Sequence, residues 1–280
     1  MSKGISYEKL AKILEESVLE LIGGENKFEK LTDKLIATHK KKTHFIPLKY
    51  RVLGGFLQSL NIKFGNFIEV LIPKLIANME TKLNVNRDYS NKKKVKLSLE
   101  QTCERKIDDY INHPPKSVEK DFEKLLDDIF TLQNSERGVF RSNIYDIDLL
   151  LEDKGRYYYI EVKYNDDHDT GKFKDINRKF LKTFAGLVNK LQIKHKTKLI
   201  PILYYFNENV RYKNIYLKEG KYVLRGRQLF EKLGLSISYD DVEEILLKMS
   251  EELEDKFDYF KNKIFEKTNH ISHVRNSDDC

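Results

Sequence analysis

The sequence predicts a mixed α/β protein with a helical N-terminal region. Three observations carry this. Apolar residues recur at helical spacing from Leu10 to Ile129, the pattern shortens to strand-like runs after Ser135, and a long amphipathic stretch then separates those runs from a further strand.

Taken in order, Leu10, Ile13, Leu14, Val18, Leu21 and Ile22 mark a first helix that Gly23-Gly24 ends. Phe28, Leu31 and Leu35 continue into a second, followed by the basic cluster His39-Lys40-Lys41-Lys42. A third helix is predicted from about Leu48 to Leu60 and a fourth from Asn66 to Leu83, with Pro73 kinking the fourth. Asp88 to Lys96 is polar and basic and reads as a loop. Leu99, Cys103, Ile107 and Ile111 mark a helix stopped by Pro114-Pro115. Ser117 caps another that carries Val118, Phe122, Leu125, Leu126 and Ile129.

Gly138 to Ile144, Asp146 to Leu151 and Tyr157 to Tyr164 are then candidate strands. A helix from Lys174 to Lys194 and a strand from Lys198 to Phe206 follow. Tyr212 to Leu217 and Tyr222 to Leu224 suggest a last hairpin. A charged helix from Asp240 to about Glu266 and a polar, disordered tail end the chain. These elements divide the chain into a helical region (1–116), a core (117–239) and a C-terminal helix with its tail (240–280).

Composition narrows the partners. The 280 residues hold 51 Lys and Arg against 44 Asp and Glu, a net charge of +7, and 34 % of them are charged. A basic excess on so charged a chain suits a polyanion, either nucleic acid or an anionic membrane surface. A Lys- and Glu-rich or heat-adapted composition would look similar. Cys103 and Cys280 are the two cysteines, too few and too far apart for a disulfide framework or a metal motif. No apolar segment follows the N-terminus and none approaches a membrane span, so a soluble, cytoplasmic protein is expected.

One tripeptide stands out. Glu-x-Lys begins at Glu25, Glu80, Glu104, Glu152, Glu219 and Glu254, but only Glu161-Val162-Lys163 follows a run of large apolar strand formers, Tyr157-Tyr158-Tyr159-Ile160. If Lys154-Gly155 is a two-residue turn, Asp153 faces Arg156. Extending that register sets Asp148 opposite Glu161 and Asp146 opposite Lys163, all four on one face. Ile147, Leu149, Ile160 and Val162 take the buried face.

Two carboxylates held together repel unless a cation lies between them. A divalent ion such as Mg²⁺, which prefers oxygen ligands, resolves the repulsion and can activate water against a phosphodiester. Lys163 would then orient the nucleophile or stabilise developing charge. The competing reading is a cross-strand salt-bridge ladder on a solvated sheet.

Asp148 with Glu161-Val162-Lys163 resembles the D…(D/E)xK signature of the PD-(D/E)xK, restriction-endonuclease-like nuclease superfamily. The helix-strand-strand-strand-helix-strand order is similar to its core. Three further stretches resemble type II restriction endonucleases of the TdeIII kind. They are Tyr50-Arg51-Val52-Leu53-Gly54-Gly55, Phe64-Gly65-Asn66-Phe67-Ile68-Glu69 and His168-Asp169-Thr170-Gly171-Lys172-Phe173.

The resemblance implies a restriction-endonuclease-like core, a mixed sheet flanked by helices, within 117–239. It implies Mg²⁺ held by Asp148 and Glu161, assistance from Lys163, and a third acid. Glu69 matches a Gly-Asn-x-x-Glu helix start, with Glu119 and Glu123 as nearer rivals and Asp146 as fallback for the first acid. The proline that often precedes that acid is absent, and Ile147 stands in its place.

The implied activity is Mg²⁺-dependent hydrolysis of duplex DNA at a short palindromic site. Cutting both strands predicts a two-fold homodimer, paired functionally with a cognate DNA methyltransferase. DNA contacts are expected from Asp169, Lys172, Arg178, Lys179, Lys182, Arg225 and Arg227, with His168 a weaker candidate. Two alternatives stay open. One is a structure-specific repair or resolvase nuclease on the same core; the other is a basic DNA-binding protein without catalysis.

Overall fold

A computed structural model describes residues 6–79, 81–90, 93–166 and 169–277. Within these, the side chains at 69, 93 and 270–277 are left aside. In chain order the elements are α1 (Tyr7–Ile22), α2 (Glu25–Lys40), α3 (Leu48–Ala77), β1 (Asn84–Val85), β2 (Lys93–Glu100), α4 (Gln101–Asn112), α5 (Val118–Gln133), β3 (Phe140–Ile147) and β4 (Leu149–Asp153). There follow β5 (Arg156–Lys163), α6 (Thr170–Lys190), β6 (Leu199–Tyr205), β7 (Val223–Arg225), α7 (Arg227–Leu233), α8 (Tyr239–Glu252) and α9 (Glu254–Ser277). Among the described residues no helix is long and apolar enough to cross a membrane.

The chain forms two compact units. One comprises 6–67 and 240–280 and is helical. Its core is aromatic: Phe28 stacks on Phe260 with ring centroids 4.2 Å apart and meets Phe56 edge-on at 5.3 Å. Leu10, Leu14, Val18 and Ile22 make the buried stripe of α1, as their spacing predicts.

The other unit, 68–239, holds the sheet. Five strands run in the order β1-β4-β5-β6-β7; β4 and β5 are antiparallel, and β5, β6 and β7 are parallel. A separate antiparallel ribbon pairs β2 with β3 over their whole length, from Lys93↔Ile147 to Glu100↔Phe140. Helix α6 covers the ribbon and the sheet with Ile176, Phe180, Phe184, Leu187 and Val188, all buried. The approach to β2 is close enough that a Cβ on Gly186 would lie 2.7 Å from the Leu97 Cβ, which requires glycine there.

The mixed sheet flanked by helices matches the predicted class, and four details differ. The predicted third and fourth helices are one helix, α3, with Pro73 inside it. Much of the predicted loop from Asp88 to Lys96 belongs to strand β2, because Val95, Leu97 and Leu99 alternate with Lys94, Lys96 and Ser98 and the leucines are fully buried. Of the predicted last hairpin only Val223–Arg225 is a strand, and it pairs parallel to β6. The C-terminal segment is two helices, the second running to Ser277; residues 278–280 lie outside the described ones.

Candidate active site

Lys154 and Gly155 both have positive φ (48° and 74°), the twisted two-residue turn that matches strand twist. The predicted register follows, with Asp153↔Arg156 through Leu149↔Ile160. The ladder stops there. At Asp148 the chain bends out of β3, whose partner is β2, so Asp148 is not a ladder partner of Glu161. Its carboxylate Oδ2 accepts the Val162 N–H at 3.0 Å, a side-chain substitute for the next backbone acceptor. Asp146 lies opposite Lys94 in the ribbon rather than opposite Lys163, a correction that the bend explains.

Asp148 and Glu161 are buried, at 2 % and 0 % exposure. The ammonium of Lys163 donates to Glu161 Oε1 at 2.7 Å and to the Val162 carbonyl at 2.8 Å, and lies 3.4 Å from Asp148 Oδ2. Three oxygens therefore converge on one cationic centre. From α6, Lys179 donates to the same Glu161 Oε1 at 3.0 Å. The other Glu161 oxygen accepts from the Tyr159 hydroxyl at 3.0 Å. Tyr159 shares the strand face of Glu161 and stacks on Phe180 at 5.4 Å, so β5 and α6 hold the glutamate between them.

The two carboxyls are pushed apart electrostatically. Burial alone would raise Glu161, but Lys163 and Lys179 outweigh it and hold this carboxyl below the ordinary glutamate value. Burial, then repulsion by Glu161, raises Asp148 despite the two lysines. Burial, reinforced by both acids, keeps the Tyr159 phenol well above its usual range, so it remains a donor.

The donor set fits a hard divalent cation. Two carboxylates and a peptide carbonyl already surround a positive charge, and oxygen is the ligand such ions take. Among the described residues no group of three His, Cys, Asp or Glu side chains gathers, either at this pair of carboxylates or away from it. Glu119 is tied to Lys218, and Glu123 to Lys221 and Tyr222. Glu69 is on α3, but its side chain lies outside the described residues, as does all of His168.

The expected DNA contacts fall into different settings. Asp169 caps α6, accepting the Lys172 N–H at 2.8 Å, and both residues are exposed. Arg178 bonds to Asp175, Asp108 and Asn112. Lys182 bridges Glu104 and Asp108 at 2.9 and 3.0 Å. Arg227 pairs with Glu208 at 2.9 Å and is half exposed. Arg225 is buried between Asp166 and Glu219 and faces no solvent-borne phosphate. Lys179 enters the site itself. Sequence reasoning missed Tyr159, although its parity with Glu161 was a usable signal, and it missed Asp166 and Glu219, for which there was none.

Comparison with known proteins gives the family. The family model described as type II restriction endonuclease, HinfI, matches residues 6–250. The type II restriction enzyme HinfI of Haemophilus influenzae is 38 % identical over 250 residues, covering 87 % of this chain and 92 % of that enzyme. No solved structure matches. The match spans both compact units, disfavours a repair nuclease or a non-catalytic binding protein, and shows the family to be that of HinfI.

Proposed function

We propose that this chain, which belongs to the HinfI family of type II restriction endonucleases and so is a site-specific DNA endonuclease, cuts both strands of a short palindromic sequence with Mg²⁺ as a cytoplasmic homodimer. Its partner in function is a methyltransferase that protects the same sequence. The observation that carries the catalytic part is the convergence of Asp148, Glu161 and the Val162 carbonyl on the Lys163 ammonium.

Asp148, Glu161 and the Val162 carbonyl would hold the metal, with Glu69 as the third acid that the family resemblance calls for. When bound, Mg²⁺ supplies a polarised water and neutralises charge on the scissile phosphate. The protein's own groups do the rest. Lys163, beside both carboxylates, sets an ammonium where negative charge builds on the phosphate oxygens. Lys179 adds a second positive charge at the same glutamate. Tyr159, kept protonated, fixes the rotamer of Glu161 through its hydrogen bond. Lys172, Arg178, Lys182 and Arg227 are suited to backbone phosphates and Asp169 to a cytosine edge, whereas Arg225 supports the fold around them.

Incubating the full chain with phage DNA and Mg²⁺ tests this. Discrete fragments with defined ends are expected. A smear would contradict sequence specificity, and intact DNA would contradict catalysis.

A further inference from the structure

Because β5, β6 and β7 are parallel, the segments that follow them leave the sheet at the edge where Lys163 lies. Tyr205 is the register partner of Lys163; the Phe206 N–H donates to the Lys163 carbonyl at 2.8 Å, and the Asn207 N–H to the Tyr164 carbonyl at 2.9 Å. The segment Asn207–Lys213 thus starts beside the site. It is then pinned. The Arg211 and Tyr212 N–H groups both donate to Asp166 Oδ2 at 3.0 Å, and Asp166 lies three residues beyond Lys163.

Arg225 locks that carboxylate and the loop together. Its Nη1 donates to Asp166 at 3.1 Å, and its Nη2 to the Tyr212 carbonyl at 3.2 Å and to Glu219 at 3.1 Å. The guanidinium stacks over the Tyr205 ring, 4.7 Å from its centroid. The Asp166 and Arg225 side chains are only 4 % and 6 % exposed. A buried ion pair carries a desolvation cost, yet what this one immobilises is a segment whose side chains face solvent. Asn209, Val210, Arg211, Tyr212 and Lys213 are all exposed. Packing gains little from such an anchor, but a side chain that must meet a base edge needs a backbone held to a fraction of an ångström.

We propose that Asn207–Lys213 is a DNA-reading loop. Asn209, Arg211 and Tyr212 contact base edges and adjoining phosphates next to the scissile bond, and Asp166 and Arg225 are a positioning pair that sets their register. Arginine and asparagine are the side chains whose paired hydrogen-bonding groups match guanine and adenine edges. The inference rests on duplex DNA being the substrate of the Asp148–Glu161 site, and its test is read by binding, separately from cleavage.

The full chain, in Ca²⁺ to hold back hydrolysis, is used to select from duplexes with a randomised central block. The double variant Arg211→Ala, Tyr212→Ala is compared with the parent. The selected sequence is expected to relax at one or two positions, with affinity for the parent's sequence falling about 10- to 100-fold, the scale of losing one or two base contacts. Thermal stability is expected to stay level, since both side chains are exposed. Arg225→Lys, which cannot keep the forked contacts, is expected to relax the same positions without itself touching DNA. Unchanged selection and affinity in the double variant would overturn the proposal, as would a parent chain that selects no sequence. A parent that selects a sequence, relaxed in the double variant, but cuts nothing would sink the nuclease reading and leave the loop supported.

Discussion

Among the described residues of the sheet-bearing unit, the ionic clusters around Glu161 and Arg225 are built on opposite principles. Around Glu161, two carboxylates share the ammoniums of Lys163 and Lys179, and one of the acids is pushed towards its neutral form. Around Arg225, one guanidinium fork serves Asp166, Glu219 and a peptide carbonyl together. A lysine is a point charge on a flexible stem and can yield its place to another cation. An arginine fork is matched bond for bond and cannot. We therefore propose the first cluster as the site and the second as a fixture, though both set acidic groups beside bases.

The contrast breaks most sharply on substitution. Glu161→Gln is expected to lower cleavage by about three orders of magnitude, the scale for removing one group that stabilises transition-state charge, while DNA binding in Ca²⁺ persists. Unchanged turnover would move the active site elsewhere. Arg225→Ala is expected to cost about 3–5 kcal/mol in urea unfolding, because the buried Asp166 carboxylate loses its counter-charge and the partly exposed Glu219 loses its partner. A loss under about 1 kcal/mol would remove its role as a fixture.

Smaller effects sharpen the same difference. Divalent cation at a hundredfold excess over its dissociation constant is expected to stabilise the parent by about 2.7 kcal/mol. Arg225→Lys should keep that gain, and Glu161→Gln should lose it; equal gains in both would separate metal binding from this cluster. Smallest is Asp148→Asn. It keeps an acceptor for the Val162 N–H but removes a charge that burial and Glu161 disfavour. A rise in melting temperature of about 2–4 °C per kcal/mol gained is expected without metal, together with loss of cleavage. A fall would mean that the ionised acid is a net stabiliser.

What the sequence disclosed follows the range of the interactions concerned. The β4–β5 register was legible because Lys154-Gly155 is a local turn and the pairing it imposes is arithmetic. The continuation to Asp148 and Asp146 was not, since the bend at Asp148 arises from β3 pairing with β2, a strand more than forty residues upstream. That strand was itself obscured: lysines at alternate positions looked like a solvated loop, although Val95, Leu97 and Leu99 kept the period. Arg225 was expected to contact DNA because the acids that bury it lie elsewhere in the chain. Gly226 also has a steric reason: a Cβ there would lie 2.1 Å from the Glu208 side chain. Lys179 was identified as a base near DNA, and its reach to Glu161 depended on how α6 packs over β5.

The claim that the lysine-filled cluster is the metal site is tested most directly by calorimetric titration of the parent chain, Glu161→Gln and Arg225→Lys with Mg²⁺ in the absence of DNA. Binding to the parent and to Arg225→Lys, with none to Glu161→Gln, is the predicted result. Equal binding to all three would contradict it.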